Sequence, residues 1–501
     1  MHATTRPDLD VNTRLRHLIS NPPAKNTKEL VSEEMIELLK QGADIHMRSS
    51  KEEEETAFMF AAKYCNQKVI DAFMERTEPH NRSLGLLTSN NPDREQLFSD
   101  KNRVSGVTAT FFAVQNDDAN VVKFFLDKIE KVDEVRDAYG FTLLMYAIKA
   151  SNIESMIQLV DQRGANMNAA DKINRTALIF AVVHNNLAMV EILLKRGANT
   201  NVNFISDYGS TANSTALMYV AQHPEIDIKI AEKLLAHGAD MHAMDSCDMR
   251  PICYAVRSKN IPLVELLLSK SIFENASEEE KFYALRSAVC YDIPKAAELF
   301  VNAGLNPNLT IPTSSMSPPG DSAVIYASKR ERKEILEIFF TLGSKEQIKQ
   351  AKENALFHAT KNLNLELTKF IILEQDVNVN CQDVLGRTPL SYLAESHLYT
   401  DGSKQRRSEI AELLLKYGAL LEIGDNDGKS PLSYASANAT KTHEFLSQLL
   451  NRDEDRENGI FPKIPPRNSA SSSSNNNPPP PPSIENPQPS AVQLQQAELS
   501  R

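Results

Sequence analysis

Residues 171–199 read DKINRTALIFAVVHNNLAMVEILLKRGAN, and this stretch holds the signals of a helical hairpin between two turns. Asp171 opens a turn, because its carboxylate can bond the backbone that follows it. Thr176 stands where a helix N-cap is expected, and apolar residues follow it at helical spacing. An Asn-Asn pair then interrupts the pattern, and Gly197 ends a second apolar segment as a C-cap. The stretch therefore predicts a turn, a short helix, a longer helix and another turn.

The same order of signals returns along most of the chain. Gly164 and Gly197 end two successive copies and lie 33 residues apart. Further copies of the phrase that opens the first helix begin at Thr142, Thr215, Thr388 and Ser430. In the last two copies a Pro occupies the first helical position, where its missing N–H costs nothing. A recurring unit of this length indicates a stack of repeats, in which each unit buries its apolar face against its neighbours.

The period and the sequence pattern of this unit resemble the ankyrin repeat. The resemblance implies an all-α solenoid of about 11 to 12 helix-turn-helix units with short hairpin fingers. Clear units begin near Asp137, Asp171, Ser214, Asp245, Asp383 and Asp425. Degenerate units span residues 34–47, 55–76, 107–128, 283–306, 322–343 and 354–380. The His of the family's T-P-L-H phrase is Ile, Met, Phe or Ser here, which predicts a looser hydrogen-bond network and a less stable array.

Composition changes divide the chain into three parts. We expect a flexible N-terminus over 1–13, the repeat array over 14–452, and a disordered Ser/Asn/Pro-rich tail over 453–501, which cannot bury a core. Four departures from the period are rich in polar residues, Gly or Pro, and they predict surface loops. These insertions lie near 79–105, 204–213, 307–320 and 397–407.

Charge and composition exclude several classes of function. The net charge of −11 repels nucleic acid and anionic membranes, and no apolar run is long enough to span a bilayer. Residues 1–8 lack the apolar core of a secretory signal peptide, so we expect a cytoplasmic protein. The five cysteines are scattered and form no C-x-x-C pair, which predicts reduced, buried thiols. We expect a monomer without metal or cofactor.

Candidate binding residues fall at two places in the unit. The resemblance puts varied side chains near the end of each first helix on a concave face: Lys63, Tyr64, Gln115, Asn116, Lys149, His184, Gln222, His223, Arg257 and Glu395. Apolar residues are expected at the hairpin tips: Tyr139, Ile173, Val384 and Leu385. Both sets could contact a protein partner, and a row of apolar tips on adjacent fingers would form a patch.

An aromatic residue also recurs within the first helix. This aromatic column comprises Phe60, Phe112, Tyr146, Phe180, Tyr219, Tyr254, Tyr392 and Tyr434. It could be a stacking ladder for a ligand or a set of rings that pack successive repeats together. A fixed position within the helical unit favours packing.

The predicted tail carries two short motifs. Pro462, Pro465 and Arg467 fit the P-x-x-P-x-R pattern that Src-homology-3-type domains bind. Leu499 lies in a polar stretch that resembles the C-terminal translocation signals of bacterial type IV secretion effectors.

The functional interpretation is a non-enzymatic scaffold for protein–protein interaction. The sequence contains no Gly-rich phosphate loop, H-E-x-x-H or G-x-S-x-G, so no catalytic centre is predicted. Long divergent ankyrin arrays are common among secreted bacterial effectors, which favours an effector that binds host proteins in the host cytosol. One alternative is a eukaryotic cytosolic adaptor, for example of a protist. Another is an enzyme whose site lies in an insertion such as 79–105.

Overall fold

The computed structural model describes residues 10–21, 23, 27–50, 54–77, 92–102, 105–205, 213–310, 321–395 and 401–437. Over these ranges the chain forms 24 α-helices and isolated β-bridges but no extended strand. The tail predicted over 453–501, with its motif at Pro462, Pro465 and Arg467 and with Leu499, lies outside the described residues.

The α-helices form pairs, and each pair is one repeat. The first helices are α1 (Val11–Ser20), α3 (Ala57–Tyr64), α6 (Ala109–Ala113), α8 (Leu143–Lys149), α10 (Ala177–Val183), α12 (Ala216–Gln222), α14 (Pro251–Arg257), α16 (Glu278–Tyr291), α18 (Ala323–Lys329), α20 (Lys345–Lys361), α22 (Pro389–Glu395) and α24 (Pro431–Ala437). The second helices are α2 (Lys28–Lys40), α4 (Gln67–Arg76), α7 (Ala119–Leu126), α9 (Ile153–Ile157), α11 (Leu187–Lys195), α13 (Ile228–Ala236), α15 (Ile261–Ser269), α17 (Pro294–Asn302), α19 (Lys333–Thr341), α21 (Leu365–Glu374) and α23 (Asp401–Lys416). A π-helical turn, Gln158–Gln162, continues α9, and α5 (Pro92–Ser99) stands between repeats 2 and 3.

Successive repeats stack with like helices in contact. First helices pack on first helices, as α10 does on α8 and α12, and second helices follow the same rule. Repeats 1 to 11 are complete pairs, and α24 is the first helix of repeat 12. This count confirms the 11 to 12 units expected from the sequence. Leu178 and Leu193 are both buried in the core of the array.

The turn chemistry also follows the sequence. Gly140 and Asn174 both have positive φ, at +85° and +65°, in the turn that precedes the first helix. Thr142 then caps α8 by accepting the backbone N–H of Met145 at 3.3 Å. The sulfur of Met145 accepts the Thr142 N–H at 3.4 Å and completes a reciprocal cap. A Met therefore keeps part of the local bonding at the position where the family usually has His.

Two boundaries differ from the expectation. Helix α1 begins at Val11, inside the stretch 1–13 assigned to a flexible N-terminus, because Leu15 and Ile19 lie one turn apart and are both buried. Helix α23 includes residues 401–407, which were expected to belong to a surface loop. Gln405 donates to Glu409 across one turn at 2.9 Å, and the buried Ile410 and Leu414 anchor the helix.

The insertion at 79–105 is not simply a projecting loop. Its described part contains α5, whose Leu97 is buried. The Phe98 ring packs edge-on against Phe58 with 5.4 Å between centroids, and it also contacts Phe125 at 5.5 Å. Aromatic burial of this kind outweighs the polar composition of the segment.

Repeats 8 and 10 lack the predicted hairpin finger. Their first helices α16 and α20 are 14 and 17 residues long, because each extends N-terminally through the place of the finger. Ser277 caps α16 by accepting from Glu280 at 3.2 Å, and Ser344 caps α20 by accepting from Gln347 at 3.2 Å. The first helix, not a turn, forms this edge of the stack in both repeats.

The expected burial holds for three of the five cysteines. Cys65, Cys253 and Cys381 are buried and free, whereas Cys247 is exposed. Burial raises the pKa of the Cys65 and Cys381 thiols to about 12. Within the described ranges, no three His, Cys, Asp or Glu side chains are grouped as metal ligands. None of the helices described there is both long and apolar enough to span a membrane.

Candidate protein-binding surface

The fingers of repeats 4, 5, 7, 11 and 12 are each built around one aspartate. In repeat 4, Asp137 Oδ1 accepts the backbone N–H groups of Tyr139 at 2.9 Å and Phe141 at 2.8 Å. Its Oδ2 accepts the hydroxyl of Tyr146, a member of the aromatic column, at 2.9 Å. The finger is therefore tied to the first helix that follows it, and its tip is held in place before any partner binds.

The same aspartate–tyrosine bond recurs in other fingered repeats. The pairs are Asp245 with Tyr254, Asp383 with Tyr392 at 2.6 Å, and Asp425 with Tyr434 at 2.5 Å. Repeat 5 has Phe180 in the column, and there Asp171 Oδ2 instead accepts from Arg175 Nε at 2.8 Å. A charged donor replaces the missing phenol.

The aromatic column lies between repeats. Its rings are buried or half-buried, and Phe60, Phe112, Phe180, Tyr254 and Tyr434 are the buried members. The Phe180 ring meets Phe141 of the preceding repeat edge-on at 5.0 Å. These contacts support the packing interpretation over a stacking ladder for a ligand.

Neighbouring fingers are joined by backbone hydrogen bonds. The Lys172 N–H donates to the Tyr139 carbonyl at 3.2 Å, and the Ile205 N–H donates to the Ile173 carbonyl at 3.0 Å. At these linked tips, the side chains of Tyr139 and Ile205 are 53% and 47% exposed, and the side chain of Ile173 is half-buried. The fingers of repeats 4 to 6 thus present a short apolar row, which we call the fingertip row.

Sequence reasoning missed Ile205 because it lies at the start of an insertion without the aspartate signal. The flanking Phe204, which is buried and paired with Ser214, was the available clue. Val384 and Leu385 are also exposed, but they belong to repeat 11 and are separate from the fingertip row.

The candidates near the ends of the first helices lie in several environments. Lys63 places its ammonium 5.1 Å from the Tyr64 ring centroid and 5.4 Å from that of Phe112, in the next repeat. Gln115 is half-buried and donates to the Phe111 carbonyl at 2.8 Å. Lys149 is exposed at the end of α8. These residues follow the column and define what we call the first-helix face.

Asn116 is a correction to the predicted set. It is 1% exposed, and its amide donates at 2.8 Å to the carbonyls of both Ala62 and Cys65. Its side-chain oxygen accepts from Lys28 at 2.9 Å. Because these bonds join repeats 1, 2 and 3, the prediction that Asn116 contacts a partner is wrong for this folded array.

Two histidines stack on the aromatic column. His184 is exposed, with its ring 6.1 Å from Phe180 and nearly parallel to it. His223 is half-buried and stacks on Tyr219 at 4.2 Å, while its Nδ1 lies 2.8 Å from Glu225 Oε1. Gln222 beside it is half-buried.

The last two candidates belong to repeats 7 and 11. Arg257 is exposed and lies 5.6 Å from the Tyr254 ring centroid. Glu395 ends α22, but its side chain lies outside the described part of the structure.

Several cations of the first-helix face were not predicted. Arg286 lies 4.8 Å from the Tyr326 ring centroid, and Lys361 lies 5.4 Å from that of Tyr392. Lys329 and Arg330 are exposed at the end of α18. These repeats have degenerate sequences, but an alignment on the last residue of each first helix would have placed Lys329 and Lys361 at the position of Arg257.

Comparisons with known proteins agree with this geometry. A sequence-family model for ankyrin repeats (three copies) matches residues 81–171, 111–204, 153–245 and 217–311. The chain is 23% identical over 326 residues to the E3 ubiquitin-protein ligase KEG of Arabidopsis thaliana, covering 63% of this chain and 19% of that protein. It is 29% identical over 169 residues to a putative ankyrin repeat protein of Acanthamoeba polyphaga mimivirus, covering 34% and 21%.

A third relative is the B-cell lymphoma 3 protein homolog of Mus musculus, 37% identical over 115 residues, covering 22% of this chain and 25% of that protein. The matched segments thus span about a quarter or less of these relatives' lengths. Paired helices, aspartate-based fingers and the family match over residues 81–311 together show that the chain contains an array of ankyrin repeats.

Proposed function

We propose that the chain is a non-enzymatic scaffold that binds a protein partner across the fingertip row and the adjoining first-helix face. The observation that carries this proposal is the set of linked fingers with exposed apolar tips at Tyr139 and Ile205. Exposed apolar side chains on a preorganised framework favour association, because little conformational entropy is lost on binding.

The adjoining first-helix face supplies polar contacts beside this row. Lys149 ends α8, and His184 and His223 directly follow α10 and α12; these are the first helices of the repeats whose fingers form the row. An apolar centre with a polar margin is the usual anatomy of a protein interface. The two surfaces together therefore suit a partner that lies across repeats 4 to 6.

Variants that make the fingertip row polar test this proposal. Tyr139→Ser combined with Ile205→Ser should abolish capture of proteins that the full chain recovers by proximity labelling and pull-down. Leu373→Ser is the matched control, because Leu373 is 51% exposed on a second helix and should not contact the partner. A partner recovered equally well by the double variant would show that the fingertip row is not the binding surface.

The cellular location and the delivery of the protein need a separate test. We propose a monomeric scaffold that acts in the cytosol of a host cell after delivery by a bacterial type IV system, with Leu499 in the export signal. A eukaryotic cytosolic adaptor is the alternative. Deleting residues 491–501 should abolish delivery of a reporter fusion while partner capture persists, and delivery that survives the deletion would favour the adaptor.

The motif at Pro462, Pro465 and Arg467 supports a second contact. We propose that an Src-homology-3-type domain binds it, with Arg467 opposite an acidic pocket. Arg467→Glu should remove binding of such a domain to a peptide of residues 458–470, whereas Lys463→Gln should retain most of it. Equal binding of both peptides would contradict the assignment.

A further inference from the structure

Repeats 7 to 10 each place one cation next to the aromatic column. The first helices α14, α16, α18 and α20 pack against one another in that order. They carry, respectively, Arg257, Arg286, Lys329 and Lys361. Arg257, Lys329 and Lys361 are exposed, and Arg286 is half-buried. Four successive repeats thus contribute one positive charge each to the same face of the stack.

Aromatic rings hold three of these cations. Arg257 lies over Tyr254 of its own repeat at 5.6 Å, and Arg286 lies between Tyr283 at 6.0 Å and Tyr326 at 4.8 Å. Lys361 reaches the Tyr392 ring of the next repeat at 5.4 Å. Contacts of this type orient a side chain without neutralising its charge, so Arg257 and Lys361 stay positively charged on the exposed face.

One of the four cations has a carboxylate partner in the described ranges. Lys329 pairs with Asp321 at 2.5 Å. Arg257 and Lys361 form no ion pair with any residue in the described ranges. His358 occupies the column position of repeat 10, and burial, followed by the nearby Lys329 and Lys361, lowers its imidazole pKa, with Asp321 acting in the opposite direction. The field at this point of the face is therefore positive.

We propose that repeats 7 to 10 bind an acidic segment of the partner in extended conformation, with a carboxylate about every third residue. Packed helices lie roughly 8–10 Å apart, and an extended chain advances about 3.3 Å per residue, so three residues span one repeat. Charge complementarity selects the occupant. This inference rests on the proposed scaffold function, because the acidic segment belongs to the same partner that contacts the fingertip row.

The other polyanion that such a row of cations could attract is nucleic acid. The chain carries a net charge of −11, so a long, uniformly charged duplex would be repelled by the rest of the molecule. A short acidic peptide meets only the local field. The charge balance of the whole chain therefore favours the peptide.

Binding of a defined peptide to the full chain tests the inference. The probe is a fluorescein-labelled twelve-residue peptide with Glu at every third position and Ser or Gly elsewhere. Arg257→Gln combined with Lys361→Gln should weaken binding about tenfold or more at low salt. The control variant, Lys229→Gln with Lys270→Gln, removes the same charge from exposed positions on or after second helices and should change affinity less than about twofold.

Two comparisons sharpen this test. A peptide of equal composition with its Glu residues contiguous should bind about threefold or more weakly than the spaced peptide, since it reaches fewer cations. The Glu-spaced peptide should raise the His358 pKa in an NMR titration, and Lys361→Gln should raise it in the free protein, because each removes or offsets a positive neighbour. His358→Asn assigns the resonance.

Three results would overturn the inference. These are equal binding by the wild type and the Arg257/Lys361 double variant, equal binding of spaced and contiguous peptides, and displacement of the peptide by duplex DNA of matched charge. If partner capture still depends on Tyr139 and Ile205 in that case, the scaffold proposal stands while the acidic-segment inference falls. If capture ignores the fingertips but the peptide binds as predicted, the scaffold surface has been misplaced.

Discussion

In repeats 4 and 7 a finger precedes the first helix, whereas in repeats 8 and 10 the first helix extends through the place of the finger. In repeats 4 and 7, Asp137 and Asp245 gather two backbone N–H groups and a tyrosine hydroxyl. In repeats 8 and 10, no aspartate stands at that place, and Ser277 and Ser344 cap helices instead. In these four repeats, an aspartate accompanies the finger and a capping serine accompanies the extended helix.

Repeats with a finger and repeats with an extended first helix expose different kinds of side chain. The fingers of repeats 4 to 6 expose Tyr139 and Ile205, which are apolar or aromatic. The extended α16 instead brings Glu280 within 2.8 Å of His242 Nδ1, at the base of the preceding repeat's finger. The stack exposes apolar fingertips in repeats 4 to 6 and cations on the first helices of repeats 7 to 10. We propose that these two regions contact different parts of one partner.

The largest expected effect is on the core that both regions share. Leu193→Ala removes a fully buried side chain in repeat 5 and should cost about 2–5 kcal/mol in the free energy of unfolding. Because repeats are stabilised by their nearest neighbours, hydrogen exchange should increase mainly in repeats 4 to 6. Loss of protection that is uniform across all the repeats would contradict this.

A smaller effect is expected from the finger aspartate. Asp245→Ala leaves the N–H groups of Cys247 and Met249 and the hydroxyl of Tyr254 without their acceptor, and should cost about 1–3 kcal/mol. Ser277→Ala in repeat 8 should cost about 1 kcal/mol, because only a helix cap is lost. Urea unfolding of the two variants measures the difference. Equal losses would remove the distinction between the two edges.

Alkaline pH gives a third test of the finger. Burial, followed by the hydrogen bond to Asp245, raises the pKa of Tyr254 well above its ordinary value of 10. The folded state then keeps a proton that the unfolded state releases, so this contribution to stability is present below pH 10 and declines above it. Tyr254→Phe should flatten the decline in urea-unfolding curves recorded above pH 10. An unchanged slope would show that the phenol is not held by the aspartate.

The smallest stability effect is expected on the first-helix face. Replacing Lys149, His184 and His223 together by Ala should change the free energy of unfolding by less than about 0.5 kcal/mol per site, because none of the three is buried. Partner capture should nevertheless weaken. Thermal unfolding and pull-down of the same triple variant separate the two readouts. Unchanged capture would restrict the partner to the fingertip row.

The sequence was sufficient for the repeated unit because its signals are local. Asp171 forms the turn and Thr176 occupies the N-cap position five residues later, and the repeat count followed from this spacing. Helix α5 could not be predicted in this way, since Phe98 is held by Phe58 and Phe125, which lie far away in the sequence. The missing fingers of repeats 8 and 10 were overlooked because the family pattern was extended to units that lack the aspartate.

The same distinction applies to the candidate site. Exposure of Tyr139, Val384 and Leu385 followed from their place at the hairpin tips. Asn116 was misjudged because its bonding partners are carbonyls of another repeat. Arg286 and Lys361 were missed because their significance lies in rings of the following repeats, which only the folded stack brings near.

Hydrogen exchange of the full chain, alone and bound to the partner that it captures, tests the central claim most directly. Binding should slow exchange at the fingers over 138–141, 172–175 and 203–205 and at the ends of the first helices α8, α10 and α12. Exchange in the second helices α11 and α13 should remain unchanged. Protection confined to those second helices would contradict a scaffold that binds through its fingers and first-helix face.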